Sequence, residues 1–111
     1  ILAKNATTLK PGKKISIVLD SKLCQNIIKN VKCSDVLICE ATLGDEFKEK
    51  AEAYKHLTAS QAGLIAKNSD AKKLIITHFS QRYKDVSHLV KESRKIFKNT
   101  IEARDLLKVL V

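Results

Sequence analysis

Three residues of this sequence pair a ligand or acid–base side chain with a telling position. Asp20 closes the run "ISIVLD", Glu40 closes "DVLICE" and His78 closes "KKLIITH". Each run is short and apolar, the pattern of a buried strand, and each polar residue stands at or just past its carboxyl end. That edge is where α/β sheets usually gather their chemistry. Taken singly, each has an ordinary reading: a helix-capping carboxylate, a surface acid, a hydrogen-bonded histidine. Three at one sheet edge point to a site. "THFSQRY" (Thr77 to Tyr83) sharpens the point, because a buried strand there runs straight into a His, a Ser, an Arg and a Tyr.

The elements that must position these residues follow from turn signals and periodicity. "LKPGKK" is a turn punctuated by Pro11-Gly12. "ISIVLD" is a strand, and "SKLCQNIIKNVK" a helix with Leu23, Ile27, Ile28 and Val31 on one face and Ser21 as its N-cap. "DVLICEA" is a second strand. "DEFKEKAEAYK" is a charged helix, and "TASQAGLIAKNS" another, capped by Thr58 or Ser60. "KKLIITH" is the third strand. "KDVSHLVKESRKIFKN" is a long amphipathic helix with Val86, Leu89, Val90 and Ile96 inward, and "DLLKVLV" a terminal edge strand. Strands alternating with helices argue an α/β fold.

Bulk properties agree. At 111 residues, 44% hydrophobic and 30% charged, the chain is one globular domain at most. No apolar run approaches the roughly 20 residues that span a bilayer, so the expectation is no membrane and a cytoplasmic setting. The formal net charge is +9, from 21 Lys+Arg against 12 Asp+Glu. That excess favours polyanions such as nucleic acid, although a lysine-rich solvated surface gives the same balance. Cys24, Cys33 and Cys39 are odd in number, lack C-x-x-C spacing and sit among apolar residues, so buried free thiols are expected. The chain holds no Met and begins Ile-Leu, which suggests a piece of a longer protein.

Four strings, "VLDS", "CEATL", "HLTASQA" and "THFSQRY", fix Asp20, Glu40, His56 and His78 at intervals of 40 − 20 = 20, 56 − 40 = 16 and 78 − 56 = 22 residues. Together they resemble the carboxyl-terminal half of the tRNase Z family, metallo-β-lactamase-fold enzymes that trim tRNA 3′ ends. The family's motifs in this order are G-D-T-like, H-E-A-T-like, H-x-T and H-F-S-x-R-Y-like. The tail "IFKNTIEARDLLKV" is similar to the family's F-x-N-T-x-x-A-x-D-L ending. The resemblance covers nearly the whole chain. It departs at Leu19 and Ser21, where Gly and Thr are usual, and at Leu57, where Ser is usual.

The resemblance implies a fold and a chemistry. The fold is half of a four-layer αββα sandwich, with residues 1–111 as the carboxyl-terminal half and the amino-terminal half absent from this sequence. The cofactor is Zn²⁺, two ions per complete site, which activate the nucleophile and clamp the phosphate. Asp20 would bridge both ions and His78 would ligate one, its other ring nitrogen needing an orienting partner. His56 would be the general acid that protonates the leaving ribose 3′-oxygen. Glu40 would orient it and favour the imidazolium. Thr58 and Ser60, at a helix start, and Arg82, with its planar fork, would serve the substrate phosphate. Arg82 as a surface ion pair is an equal alternative. Tyr83 is assigned to packing, and His88, with no motif around it, to no role.

Two zinc ions need some five or more side chains. The family's H-x-H-x-D-H motif has no counterpart here, so the chain is not expected to hold the dinuclear site unaided. Three functions remain. The first is a zinc-dependent endoribonuclease acting on precursor tRNA, commonly as a homodimer in this family. The second is a metallo-phosphodiesterase of another substrate, and the third a non-catalytic basic fragment that binds RNA or a partner. An isolated half would expose the sheet face meant for its partner and be poorly soluble.

Overall fold

The computed structural model describes residues 7–10, 12–20 and 23–111. In chain order its elements are β1 (Thr7–Lys10), β2 (Lys13–Val18), α1 (Gln25–Asn30), β3 (Val36–Glu40), a 3-10 turn (Asp45–Phe47), α2 (Lys48–Ala53), α3 (Ala59–Asn68), β4 (Leu74–Thr77), α4 (Ser87–Ile96) and β5 (Thr100–Glu102). They build one five-stranded sheet in the order β1-β2-β3-β4-β5. β1 is antiparallel to β2, and every other neighbouring pair is parallel. The carboxyl ends of β2 to β5 therefore share one edge.

Alternation along the strands separates two faces. Val18, Leu37, Cys39, Leu74 and Ile76 belong to the buried core cluster, with Leu57, Ala62, Ile65 and Ala66 around α3 and Leu89 and Val90 from α4. The intervening positions, Ile15, Ile17, Val36, Ile38 and Ile75, turn the other way. In register, Ile17 pairs with Ile38, Ile38 with Ile75 and Ile75 with Ile101, a row of isoleucines across four parallel strands. Ile17 at the end of that row is 41% exposed.

The helix layer is drawn tight by one glycine. A Cβ on Gly63 of α3 would sit 2.8 Å from the carbonyl oxygen of Ser93 on α4. Only hydrogen fits there, and Ser93 uses its buried hydroxyl to donate to the Ala59 carbonyl at the other helix's start.

Several expectations from sequence need correction. The terminal strand is Thr100–Glu102, and 105–111 form no strand, with Leu106 96% and Leu110 92% exposed. The chain returns from α4 to the β4 edge within Phe97–Asn99, so the first residues to arrive take the ladder. The Leu74 amide donates to the Asn99 carbonyl, and the Ala103 amide to the Ile76 carbonyl. β1 has no apolar pattern and was not expected; it pairs through a hairpin turned by Gly12, whose φ of 73° suits glycine. Pro11 and the Ser21 cap lie outside the described residues, and α1 starts at Gln25 after Cys24. The charged helix begins as the 3-10 turn before α2. The three cysteines are free, but Cys24 and Cys33 are exposed because they flank α1 rather than face the core.

Candidate catalytic and metal centre

β3 ends on Glu40 and β4 on Thr77, and the two are register partners, so His78 emerges just beyond Glu40 on the adjacent strand. β2 stops at Val18, two residues short of Asp20. Asp20 and His78 both adopt the left-handed backbone region, with φ of 53° and 59°. Non-glycine residues pay for that conformation, and it concentrates at functional sites. The turn breaks the strand direction sharply and keeps both side chains at the sheet edge.

His56 arrives from another element. The loop after α2 is pinned by the His56 amide to the Ala51 carbonyl at 2.8 Å, and by the Thr42 amide to the Leu57 carbonyl at 3.1 Å. A bridge between Leu43 and Thr58 holds this loop beside the segment after β3. The next helix, α3, opens with a capping box. The Gln61 amide donates to Thr58 Oγ1, and the Thr58 amide to Gln61 Oε1.

Glu40 is the hub. Its side chain is fully buried. Thr42 Oγ1 donates to Glu40 Oε2 at 2.6 Å, and His56 Nδ1 lies 3.0 Å from that same oxygen. An ionised carboxylate accepts only, so the His56 proton sits on Nδ1 and leaves Nε2 outward. Thr42 has spent its one proton on Glu40, so at 3.3 Å its oxygen accepts from His78 Nδ1–H. His78 Nδ1 is itself 3.8 Å from Glu40 Oε2. One carboxylate and one hydroxyl thus set the tautomer of two histidines, and both Nε2 atoms remain for chemistry.

Candidate donor atoms of Asp20, His56 and His78 all lie within 4.8 Å of one another. A carboxylate with two imidazoles whose tautomers are fixed is a donor set that suits zinc. The Cys39 thiol does not join it, because it points into the core from the opposite face of β3; burial first, and then the Glu40 charge, push it above the ordinary thiol range. The predicted residues are thus brought together, with the addition that the His56 ring also reaches the Asp20–His78 group.

The phosphate candidates sit differently. Thr58 is buried, its hydroxyl occupied in the capping box, and Ser60 Oγ donates to Asp45 Oδ2 at 2.7 Å. Arg82 is exposed; its Nε donates to Ser80 Oγ at 3.2 Å and its guanidinium lies 4.3 Å over the Phe47 ring, and among the described residues it forms no ion pair within 4.0 Å. A cavity of about 230 Å³ lined by Leu23, Glu52, His56 and Gln61 opens beside His56. Sequence reasoning missed Thr42. Its signal was the alternation of "CEAT", which puts positions 40 and 42 on one side of an extended chain.

Sheet, helix layer and edge site together define a class, the metallo-β-lactamase fold. The chain is similar to the metallo-β-lactamase fold protein YhfI from Bacillus subtilis, with a TM-score of 0.78 over 86% of this chain and 39% of that one, at 22% identity. It is also similar to a long form RNase Z from yeast, with a TM-score of 0.69 and 32% identity over 84% of this chain and 13% of that one. In sequence it is 43% identical over 107 residues to the Ribonuclease Z of Protochlamydia amoebophila, covering 96% of this chain and 35% of that protein. No family model matches. The chain spans about a third of the length of the curated relatives it matches. Over that span it belongs to the ribonuclease Z, or tRNase Z, family.

Proposed function

We propose that this chain is the carboxyl-terminal half of a zinc-dependent endoribonuclease that removes 3′ trailers from precursor tRNA. The observation that carries the reading is the Glu40–His56 pair at 3.0 Å, beside a group in which Asp20 and His78 converge within 4.8 Å. An acid–base pair next to candidate metal ligands is the equipment of phosphodiester hydrolysis.

Asp20 and His78 would hold zinc, with further ligands from the amino-terminal half. The ions would supply activation of the nucleophile and neutralise charge on the phosphoryl oxygens. The chain's own residues do the rest. Glu40 holds the His56 ring through Nδ1–H, so the protonated ring presents its Nε2 proton to the departing ribose 3′-oxygen. Cleavage leaves a 3′-hydroxyl on the tRNA body and a 5′-phosphate on the trailer. Arg82 offers its terminal N–H groups to a phosphate. Thr58 and Ser60 serve the phosphate indirectly, through the helix end that Thr58 caps and the Asp45 loop that Ser60 ties down. The +9 charge suits an RNA substrate. We assign the complete enzyme to the cytoplasm, where such transcripts are processed, as a homodimer like its family.

The test mixes the chain with an amino-terminal half that carries H-x-H-x-D-H and assays precursor-tRNA cleavage with Zn²⁺. Restored cleavage that His56→Ala abolishes supports the proposal. Hydrolysis of a small phosphodiester alone would transfer it to the metallo-phosphodiesterase reading. A mixture that takes up no zinc would leave a non-catalytic basic fragment.

A further inference from the structure

A second constellation forms where the 3-10 turn meets α4. Candidate donor atoms of Glu46, His88 and Glu92 lie within 4.8 Å of one another. His88 and Glu92 stand one helical turn apart, at i and i+4, and so share a face of α4. Glu46 reaches them from the 3-10 turn, and its Oε1 is 3.9 Å from His88 Nε2. That gap is too long for a hydrogen bond.

All three side chains are held in place by neighbours. The Tyr83 hydroxyl donates to Glu46 Oε1 at 2.7 Å and accepts from the Gly44 amide at 2.9 Å. Glu46 folds back over Gly44, its carboxylate taking the space a Cβ there would fill. The Asp45 amide donates to Glu92 Oε1 at 2.8 Å. Tyr83 meets the His88 ring edge-on, with centroids 4.9 Å apart. Outer partners of this kind orient ligands in metal sites.

The charges are unbalanced. Burial, and then the Asp45 and Glu46 carboxylates, hold the Glu92 carboxyl above its ordinary range. In a chain with 21 Lys+Arg, acids would be expected to find basic partners. Among the described residues, no Lys or Arg forms an ion pair within 4.0 Å of Glu46 or Glu92. Two carboxylates converge on an imidazole, and Arg82, which acts on Glu46 from a distance, forms no ion pair with it.

We propose that Glu46, His88 and Glu92 bind a divalent transition-metal ion such as Zn²⁺, separately from the Asp20–His56–His78 group. One imidazole and two carboxylates give three protein ligands and leave room for water. The ion would clasp the 3-10 turn to α4 and steady Tyr83, which lies in the same string as His78.

Equilibrium dialysis of the 111-residue chain against micromolar Zn²⁺ tests this in an Asp20→Asn/His78→Ala background, which removes two of the three donors at the other group. About one ion per chain should remain bound. Adding His88→Ala should weaken that binding at least tenfold with an unchanged circular dichroism spectrum. Glu92→Gln, which keeps an acceptor for the Asp45 amide and so preserves the fold, should do the same. Co²⁺ substitution should give a visible absorption band that both variants lose. No ion retained in the background, or affinity indifferent to His88→Ala and Glu92→Gln, would overturn the proposal.

Discussion

Glu40 is fully buried and well supplied with donors, because Thr42 and His56 both turn theirs toward one of its oxygens. The consequence for His78 is indirect. Thr42 can accept from its Nδ1–H only while its own proton is committed to Glu40, so the outward lone pair on His78 depends on Glu40, which reaches that ring through Thr42. Thr42→Val removes donor and acceptor at nearly constant volume. It should weaken zinc binding by about 10–100-fold, the usual cost of losing an outer partner. Thr42→Ser should recover most of it, and dialysis of the two variants side by side checks the prediction. Asp20, Glu40, His56 and His78 were legible in sequence because each combines a chemically capable side chain with a strand end or a motif. Thr42 was less so: alternation puts it on the Glu40 side of an extended chain, but its link to His78 arises only where separate segments meet.

Among the elements, two exposed-looking assumptions about helices reverse sign here. Glycine inside a helix ordinarily costs up to about 1 kcal/mol relative to alanine. Gly63 is the opposite case, since the Ser93 carbonyl stands 2.8 Å from any Cβ and is backbone that cannot rotate away. Gly63→Ala should destabilise the chain by about 1–3 kcal/mol, the range for overpacking, as read from urea unfolding. Asp70 is the converse. It follows α3 with φ 58°, its amide caps the Lys67 carbonyl, and its charge sits at the negative end of the helix. Asp70→Gly relieves both strain and repulsion, against a larger loss of chain entropy on folding. It should stabilise by about 0.5–1 kcal/mol in the same assay. The sequence announced the central strands and the long helices through their periodicity. It did not announce β1, whose pairing is imposed by the hairpin, nor the abandonment of "DLLKVLV". Apolar content alone made that tail look like a strand, while the short return from α4 had already filled the sheet edge with Thr100–Glu102.

At the scale of the whole molecule, the two faces of the sheet are covered unequally: on the side away from the helices Val36 and Ile75 are buried, while Ile17 is 41% exposed. Parallel sheets are ordinarily covered on both sides; among the described residues, the helices pack on one. The other carries the row Ile17, Ile38, Ile75 and Ile101, with Glu40 on the same side of β3 as Ile38 at the row's active edge. A second sheet laid on that face would bury the isoleucines and bring its own ligands to the edge where Asp20 and His78 converge. One surface would then serve both folding and metal binding. The same face explains why a chain spanning about a third of its relatives' length should associate by itself. Its compact form has a Cα radius of gyration of 12.9 Å, as expected for one small domain. In gel filtration it should nonetheless elute ahead of that size. Ile17→Lys places a charge where the side chain is already 41% exposed, so it should leave the circular dichroism of the isolated chain unchanged and return it to the monomer position. Under the proposed function the amino-terminal half would dock on this face, so that substitution should also prevent its capture and abolish the precursor-tRNA cleavage expected of the wild-type mixture. Monomeric elution of the wild-type chain, or an Ile17→Lys chain that still pairs and cleaves, would show that the isoleucine row is not the joining surface.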